Sequence, residues 1–311
     1  MKNLFGGLVA AAALLLTFAV PARAATCTAT GFYRDGINMT AALIDPPSVV
    51  GMDVDATGCN VGVYYDSGTG LINVATIHGA NYFGVLVNGD VNDVAVTIQD
   101  SVVKQIGNTP FDGTQHGVGI YYRSFGTGSA SGSVTGTTVS EYQKGGIVAN
   151  GNSNVTVSGC TVTGLGPVVF IAQNGIQFGW GASGSAMRNT VTGHSYVPPG
   201  GGDGSASAGV LVYGDTSGVT TGIQITGNAL TGNDNGVALV NCGDDACSVP
   251  PSIRTNDKVV NNTITGPSTN QYAAGVYDFG NADKIVNNTI DLYTTPVFTD
   301  GSLNAKVHAT K

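Results

Sequence analysis

Apolar and polar residues alternate along most of the chain in short stretches, which is the pattern expected of β-strands. One phrase recurs throughout: a glycine, then a β-branched apolar residue, then further residues that favour strands. Copies of this phrase start at Gly62, Gly84, Gly117, Gly146, Gly175, Gly209, Gly236 and Gly275. The pattern predicts an all-β protein built from repeated units.

A second phrase, a short polar triplet that ends in an apolar residue, falls between the copies of the first. It starts at Asp100, Thr137, Cys160, Asn189, Asn228, Asn262 and Asn288. The glycine phrase recurs at intervals of 22 to 39 residues, which is too irregular for a helical repeat or a propeller blade. Variable intervals between similar short strands predict about eight coils of a parallel β-solenoid. We expect the asparagines of the last four triplets to stack, each amide bonding the next.

The chain begins with a segment typical of export. Lys2 gives a positive start, Leu8 to Val20 is apolar except for one threonine, and Ala22-Arg23-Ala24 fits a cleavage site. Residues 1–24 are therefore predicted to be a secretory signal peptide, and no later stretch is apolar enough to insert in a membrane. This places the protein outside the cytoplasm, secreted to the extracellular space or the periplasm.

The rest of the chain divides into three segments. Residues 25–60 are predicted to form an N-terminal cap with a short helix near Thr40 to Ile44. Residues 61–295 carry the repeats and are predicted to form the solenoid, and residues 296–311 its C-terminal end or cap. Caps are expected because the terminal coils would otherwise leave unpaired strand edges.

Composition narrows the class further. Charged residues are only 10% of the chain, which does not suit helical bundles, and the 42% hydrophobic content does not suit disorder. Removal of residues 1–24 leaves ten Lys or Arg against 20 Asp or Glu, a net charge of −10. An acidic chain with few cations is a poor partner for nucleic acid. The sequence leaves the oligomeric state open.

Five cysteines remain after the signal segment. Cys27 could pair with Cys59, and Cys242 could pair with Cys247 across a short loop, since export permits disulfides. Cys160 lies in a strand-like stretch and is predicted to be a buried free thiol. The cysteine spacing fits no zinc pattern, and the carboxylates occur singly or in pairs. No cofactor is predicted, with calcium left as an unsupported alternative.

These phrases resemble the right-handed parallel β-helix repeat family of the pectin-lyase-like superfamily. The resemblance covers about residues 60 to 295 and rests on the Asn-x-Val/Ile and Gly-Val/Ile-x-Val phrases. It implies a right-handed parallel β-helix. The family includes pectate and alginate lyases, polygalacturonases, alginate epimerases and surface-attached adhesins, so the resemblance is specific for fold and weak for function.

Polar residues just before and within the glycine phrases form the candidate site. Alternation points Tyr121, Asn150, Gln177 and Tyr213 outward if Ile120, Ala149, Phe178 and Val212 point inward. Amides and aromatic rings suit sugar hydroxyls and the apolar faces of pyranoses. The predicted substrate-binding residues are Gln115, Gln143, Gln173, Asn174, Gln177 and Trp180.

Catalysis by β-elimination is a further hypothesis for this surface. Lys144 or a neutral His116 could remove a C5 proton, and Tyr121 could protonate the leaving oxygen. A second candidate, Gly243-Asp244-Asp245, resembles the paired-aspartate phrase of polygalacturonases. It departs from that family because it lies in a cysteine-bounded loop and its only Gly-His-Ser precedes it, so an exposed turn is the favoured interpretation.

The leading hypothesis is a secreted protein that recognises an extracellular polysaccharide and, in its stronger form, processes it as a lyase. A glycoside hydrolase is the other enzyme class considered. The competing hypothesis is a non-catalytic surface or envelope scaffold, similar to an adhesin, that binds proteins or matrix.

Overall fold

The computed structural model describes residues 26–200, 205–266, 273–299, 301–308 and 310. Within these residues the secondary structure is β-strand, arranged in three sheets. Sheet A contains, in spatial order, β1 (Thr28–Arg34), β2 (Ile37–Ile44), β5 (Val61–Tyr65), β8 (Phe83–Asn88), β11 (Val118–Ser124), β14 (Gly145–Gly151), β17 (Asn174–Gly179), β20 (Ala208–Gly214), β23 (Asn235–Asn241), β26 (Ala274–Phe279) and β29 (Val297–Phe298). Sheet B contains β3 (Ser48–Val50), β6 (Gly68–Asn73), β9 (Val94–Gln99), β12 (Ala130–Thr135), β15 (Ser153–Ser158), β18 (Ser183–Met187), β21 (Gln224–Thr226), β24 (Lys258–Val260), β27 (Lys284–Val286) and β30 (Lys306–His308). Sheet C contains β4 (Asp53–Asp55), β7 (Thr76–His78), β10 (Val102–Lys104), β13 (Thr138–Ser140), β16 (Thr161–Val168), β19 (Thr190–Tyr196), β22 (Ala229–Thr231), β25 (Thr263–Thr265) and β28 (Thr289–Asp291).

From β2 onward the chain visits sheets A, B and C in turn, and each strand pairs in parallel with its counterpart one coil away. This is a right-handed parallel β-helix, as the sequence predicts. The strands from β2 to β28 make nine full turns in the described residues, one more than the eight glycine phrases indicate. The additional turn, β2 to β4, lies within residues 25–60.

The glycine phrases form the strands of sheet A, and close packing explains the glycine. A Cβ atom on Gly84 would lie 2.5 Å from the carbonyl oxygen of Gly119, and one on Gly146 would lie 2.5 Å from that of Gly175. One copy was assigned wrongly: Gly119 rather than Gly117 occupies the stacked position, because Ile120 pairs with Val85 and Ile147. Only glycine permits this approach of one coil to the next.

Apolar side chains from all three sheets fill the interior of the helix. Ile120, Ala149, Phe178 and Val212 of sheet A all belong to this core and are at most 2% exposed. The predicted alternation along the sheet A strands is thus confirmed. It follows that Tyr121, Asn150, Gln177 and Tyr213 lie on the outward face.

Besides the additional turn, the secondary structure of the N-terminal segment differs from its prediction. Thr40 to Ile44 belong to strand β2, so the predicted short helix is wrong. β-Strand pairing on both sides overrides local helix propensity here: β2 pairs antiparallel with β1 and parallel with β5. The disulfide between Cys27 and Cys59 ties the start of this segment to its end.

An asparagine ladder runs along the corner between sheets B and C. The Nδ2 of Asn189 donates to Asn228 Oδ1 at 3.0 Å, Asn228 to Asn262 at 2.9 Å, and Asn262 to Asn288 at 2.9 Å. This confirms the predicted stack. Cys160 occupies the next position of the same row, where its backbone N–H donates to Asn189 Oδ1, and its thiol is buried and free as predicted.

Two further findings concern the second disulfide and membrane-spanning helices. Cys242 and Cys247 form the second disulfide, as the sequence allowed. The part of the chain that the structure describes holds no helix long and apolar enough to cross a membrane. The predicted signal peptide, residues 1–24, lies outside the described residues.

Candidate binding groove on sheet A

The outward face of sheet A carries a groove of about 510 Å³, here called the central groove. Strands β11, β14, β17 and β20 form most of it, and residues from β1, β8 and the connecting loops complete its rim. Its lining comprises Arg34, Phe83, Gln115, Val118, Tyr121, Phe125, Lys144, Gly145, Val148, Asn150, Asn174, Gln177, Trp180, Leu211, Tyr213 and Ser217.

The floor of the groove holds a directed row of hydrogen bonds. Asn174 Nδ2 donates to Gln177 Oε1 at 3.3 Å, Gln177 Nε2 donates to Asn150 Oδ1 at 3.1 Å, and Asn150 Nδ2 donates to Tyr121 OH at 3.2 Å. The row crosses three coils because Tyr121, Val148 and Gln177 are register partners. The Tyr121 oxygen is used as an acceptor, so its O–H can donate to a ligand.

Gly179 keeps this floor open. It lies in register between Asn150 and Tyr213 on neighbouring coils. A Cβ atom at this position would lie 2.7 Å from Asn150 Oδ1 and would disturb the amide row. The glycine therefore leaves both the amide and the groove accessible.

Three aromatic rings, the aromatic wall, line the end of the groove where the strands finish. Trp180 contacts Tyr213 edge to face at a centroid distance of 4.9 Å, and Phe125 lies 6.5 Å from Trp180. Trp180 has a φ of 51°, which is rare for a bulky residue, and Asp215 accepts a 2.8 Å hydrogen bond from its indole N–H. The indole is thus fixed in position by its neighbours.

Two cations line the groove of this acidic protein. The Nζ of Lys144 donates to the Ala172 carbonyl at 2.8 Å, and burial lowers the pKa of Lys144 to about 8. Arg34 reaches the rim from β1, where it also lies 3.6 Å from Asp35. Among the lining residues that the structure describes there is no carboxylate. The groove is therefore suited to a ligand with negative charge.

Six of the nine predicted site residues lie together in the central groove: Gln115, Tyr121, Lys144, Asn174, Gln177 and Trp180. The binding and catalytic roles of these residues stay predictions. His116, Gln143 and Gln173 are not among the lining residues.

His116 is held beside the groove by neighbours on its own loop and on the preceding coil. Its ring stacks on Tyr82 at a centroid distance of 4.0 Å, and its Nε2 lies 3.0 Å from Asn108 Oδ1. Burial lowers its pKa, which favours the neutral ring. His116 is 8% exposed and does not line the groove, and its catalytic role stays a prediction from sequence.

Gln143 and Gln173 are fully buried and hold the loops in front of sheet A. Gln143 Oε1 accepts from the backbone N–H of Asn108 at 3.1 Å, and its Nε2 donates to the Thr114 carbonyl at 2.8 Å. Gln173 Nε2 donates to the Tyr142 carbonyl at 2.6 Å, and its Oε1 accepts from the Leu165 N–H. In this conformation both amides are occupied with backbone groups.

The Asp244-Asp245 pair lies in a turn, as favoured from sequence. The Ser248 hydroxyl donates to Asp244, and so does the Ser248 N–H at 2.7 Å. These two bonds lower the pKa of Asp244. Asp245 accepts from Thr216 Oγ1 at 2.5 Å. Within the described residues, no group of three or more His, Cys, Asp or Glu side chains is arranged to hold a metal ion.

Phe125, Tyr213 and Arg34 belong to the groove but were not among the predicted binding or catalytic residues, although alternation placed Tyr213 on the outward face. Phe125 and Tyr213 had a usable signal, since each is an aromatic residue at or just after the end of a glycine-phrase strand, like Trp180. Arg34 had none, because it comes from the N-terminal hairpin and reaches the groove only through the pairing of β1 with β2.

No family model matches the chain, and no curated protein matches it. Among solved structures it is similar to the A-module of mannuronan C-5 epimerase AlgE6 from Azotobacter vinelandii, with a TM-score of 0.47 and 16% identity, covering 80% of this chain and 68% of that chain. It is also similar to the A-module of mannuronan C-5 epimerase AlgE4 from the same organism, with a TM-score of 0.31 and 12% identity, covering 83% of this chain and 90% of that chain. Similarity this low gives no information about activity.

Proposed function

We propose that this protein binds a polysaccharide along the outward face of sheet A, with one stretch of the sugar chain in the central groove. The observation that carries the proposal is that an aromatic wall and a row of amides line the same groove. Aromatic rings cover the apolar faces of pyranoses, and amides satisfy hydroxyl groups. The two disulfides suit an oxidising compartment, so we place this interaction outside the cytoplasm.

The charge of the groove supports an acidic polysaccharide. Arg34 and Lys144 line it, whereas the chain as a whole carries 20 acids against 12 Lys and Arg. A local concentration of cations in an acidic protein attracts carboxylate groups and strengthens hydrogen bonds to them. Uronate-containing polymers are therefore the ligands to test first.

Trp180 offers a direct test because it is the only tryptophan in the chain. Uronate oligosaccharides should change its intrinsic fluorescence, and Trp180→Ala should weaken binding measured by calorimetry about tenfold, as expected for loss of one stacked ring. Phe298→Ala is the control, since Phe298 stacks on Tyr277 in the same sheet but outside the groove. Equal affinity of the Trp180→Ala variant and the wild type would reject the groove as the binding site.

A second candidate function is lyase-type cleavage of the bound chain, favoured by the lowered pKa of Lys144. Neutral Lys144 would take the C5 proton of a uronate, the C4–O4 bond would break as a C4=C5 double bond forms, and the Tyr121 O–H would protonate the departing oxygen. Absorbance of unsaturated products released from polyuronates measures this reaction. If the protein binds polyuronates but releases no unsaturated products, it is a binding protein and not a lyase. If it neither binds nor cleaves them, the non-catalytic interaction scaffold is favoured.

A further inference from the structure

A second cavity of about 520 Å³ lies toward the N-terminal end of sheet A. We call it the N-terminal pocket. The β1 strand contributes one side through Phe32 and Tyr33, and the ends of β5, β8 and β11 contribute the other through Tyr64, Asn88 and Arg123. The central groove shares none of these residues.

The two cavities nevertheless lie along the same rows of the same sheet. Tyr64 of the pocket pairs with Leu86, which pairs with Tyr121 of the groove. In the next outward row, Asn88 and Arg123 of the pocket are followed by Asn150 of the groove. From β5 to β20 this face spans five strand spacings, about 24 Å at about 4.8 Å each. One extended polymer could therefore occupy both cavities.

Arg123 forms a fixed boundary between the two cavities. Its Nη1 donates to Asn88 Oδ1 at 2.6 Å and to Asp90 Oδ2 at 2.5 Å, and its guanidinium lies 4.8 Å from the Phe32 ring and 5.3 Å from the Phe125 ring. The side chain is nine-tenths buried, and its Nε has no hydrogen-bond partner among the described residues. Buried donors are usually paired, so this N–H lacks the acceptor that such a group normally has.

The charge of the pocket differs from that of the groove. Asp90 neutralises Arg123, and Asp66 also lines the pocket, so its lining side chains carry a net negative charge. An acidic sugar would be repelled there, whereas carboxylate and amide oxygens are good acceptors for neutral hydroxyl groups. At the mouth, the Tyr33 side chain is 65% exposed and offers a ring face for stacking.

We propose that the N-terminal pocket is a second sugar subsite that takes an uncharged pyranose, so that the polymer bound along sheet A combines acidic units with neutral ones. This inference rests on the proposed polysaccharide function. It assigns the aromatic contact to Tyr33 and the missing acceptor of Arg123 to a sugar oxygen.

The test compares two oligosaccharides of equal length, one made only of uronate units and one that alternates uronate with neutral hexose. Tyr33→Ala should weaken calorimetric binding of the alternating oligosaccharide five- to tenfold and leave the uronate-only oligosaccharide within twofold. Tyr33→Phe, which keeps the ring, should bind both like the wild type. Because Tyr33 is largely exposed, the substitution is not expected to affect folding.

Trp180→Ala separates the two proposals, because it should weaken both oligosaccharides. If Tyr33→Ala leaves both affinities unchanged while Trp180→Ala lowers them, the N-terminal subsite is rejected and the groove stands. If Tyr33→Ala weakens both oligosaccharides equally, the pocket does not select a neutral unit and the inference is again overturned. If neither oligosaccharide binds the wild-type protein, the proposed function itself fails.

Discussion

At the scale of single residues, the hydrogen bonds of Tyr121 and Lys144 determine which of them can donate a proton and which can accept one. Asn150 donates to the Tyr121 oxygen, so the Tyr121 O–H is free to donate to a bound sugar. Lys144 donates one N–H to the Ala172 carbonyl, and it can do so in its neutral form as well. The lone pair of the neutral amine then remains available for a substrate proton. In the proposed lyase reaction, Tyr121 would be the acid and Lys144 the base.

This arrangement predicts the pH dependence of any lyase activity. The base must be neutral, so kcat/KM should rise with pH and level off above about 8, the pKa of Lys144. Lys144→Met should lower the rate by roughly 100-fold or more, the usual size of a general-base contribution. Lys104→Met is the matched control, because Lys104 lies in β10 of sheet C. A rate that is unchanged in Lys144→Met would exclude Lys144 as the base.

Residue types and alternation were enough to predict the side chains that point outward from strands, but only some of those in the loops before them. Gln115 and Lys144 line the groove as predicted, whereas Gln143 and Gln173 do not. Tyr121 and Gln177 follow from alternation once Ile120 and Phe178 are placed in the core. Gln143 and Gln173 precede their strands, where the orientation depends on loop backbone that the repeat does not specify. Both amides turn inward because unpaired backbone groups are available there.

At the scale of elements, the corner between sheets B and C repeats one arrangement from the second coil to the ninth. A residue with positive φ makes the turn, and a buried polar or small residue follows it. Arg188, Gly227, Asn261 and Asn287 make the turns before the four ladder asparagines. Asn261 and Asn287 each also begin an Asn-Asn-Thr glycosylation sequon. The turn accounts for these asparagines, since asparagine tolerates the left-handed region. The spacing of the triplets predicted the ladder because the same corner recurs from coil to coil. The glycine of sheet A was wrongly assigned to Gly117 because glycines lie on both sides of Val118, and the sequence does not show which one stacks.

The ladder should contribute strongly to stability. Asn228→Ala would remove the oxygen that accepts from both the backbone N–H and the side-chain amide of Asn189. It would also remove the amide that donates to the Ala186 carbonyl, and all three of these hydrogen bonds are buried. Since each buried unpaired group costs about 1 to 3 kcal/mol, we expect a loss of several kcal/mol in the free energy of unfolding, measured by chemical denaturation. Asn154→Ala on the exposed face of β15 is the control. A loss below about 1 kcal/mol would contradict this role of the ladder.

At the scale of the whole molecule, a few buried titratable groups should govern how stability depends on pH. Asp257, Asp278 and Asp283 are fully buried near the C-terminal end, and one oxygen of each has no hydrogen-bond partner among the described residues. Burial and the neighbouring Asp283 raise the pKa of Asp278 to about 8. The pKa of His194 shifts in the opposite direction, because burial lowers it to about 4. Its Nδ1 donates to Asn233 at 2.8 Å, and its Nε2 accepts from the Tyr142 hydroxyl.

The two effects have opposite signs over different pH ranges. Between pH 4 and 6.5 the unfolded chain binds the extra proton at His194, so that residue adds stability as pH rises. Between pH 3.8 and about 8 the native state binds the extra proton at Asp278, so that residue removes stability as pH rises. The contributions oppose each other up to pH 6.5. Above it the loss from Asp278 and its neighbours continues, and Lys144 opposes it in part, because its lowered pKa of about 8 leaves the extra proton on the unfolded chain. The protein should therefore be less stable at pH 8 than at pH 6.5, by about 2 kcal/mol from Asp278 alone.

Asp278→Asn tests this expectation, because the amide keeps the shape of the neutral acid and cannot ionise. The variant should show a flatter decline in the free energy of unfolding between pH 6.5 and 8, measured by chemical denaturation at several pH values. Asp100→Asn serves as the control, since Asp100 is exposed at a turn with a φ of 48° that asparagine also tolerates. The same decline in Asp278→Asn as in the wild type would mean that other groups govern the pH dependence. A decline that disappears only in Asp278→Asn would show that the last coils are held together by an acid that must stay protonated.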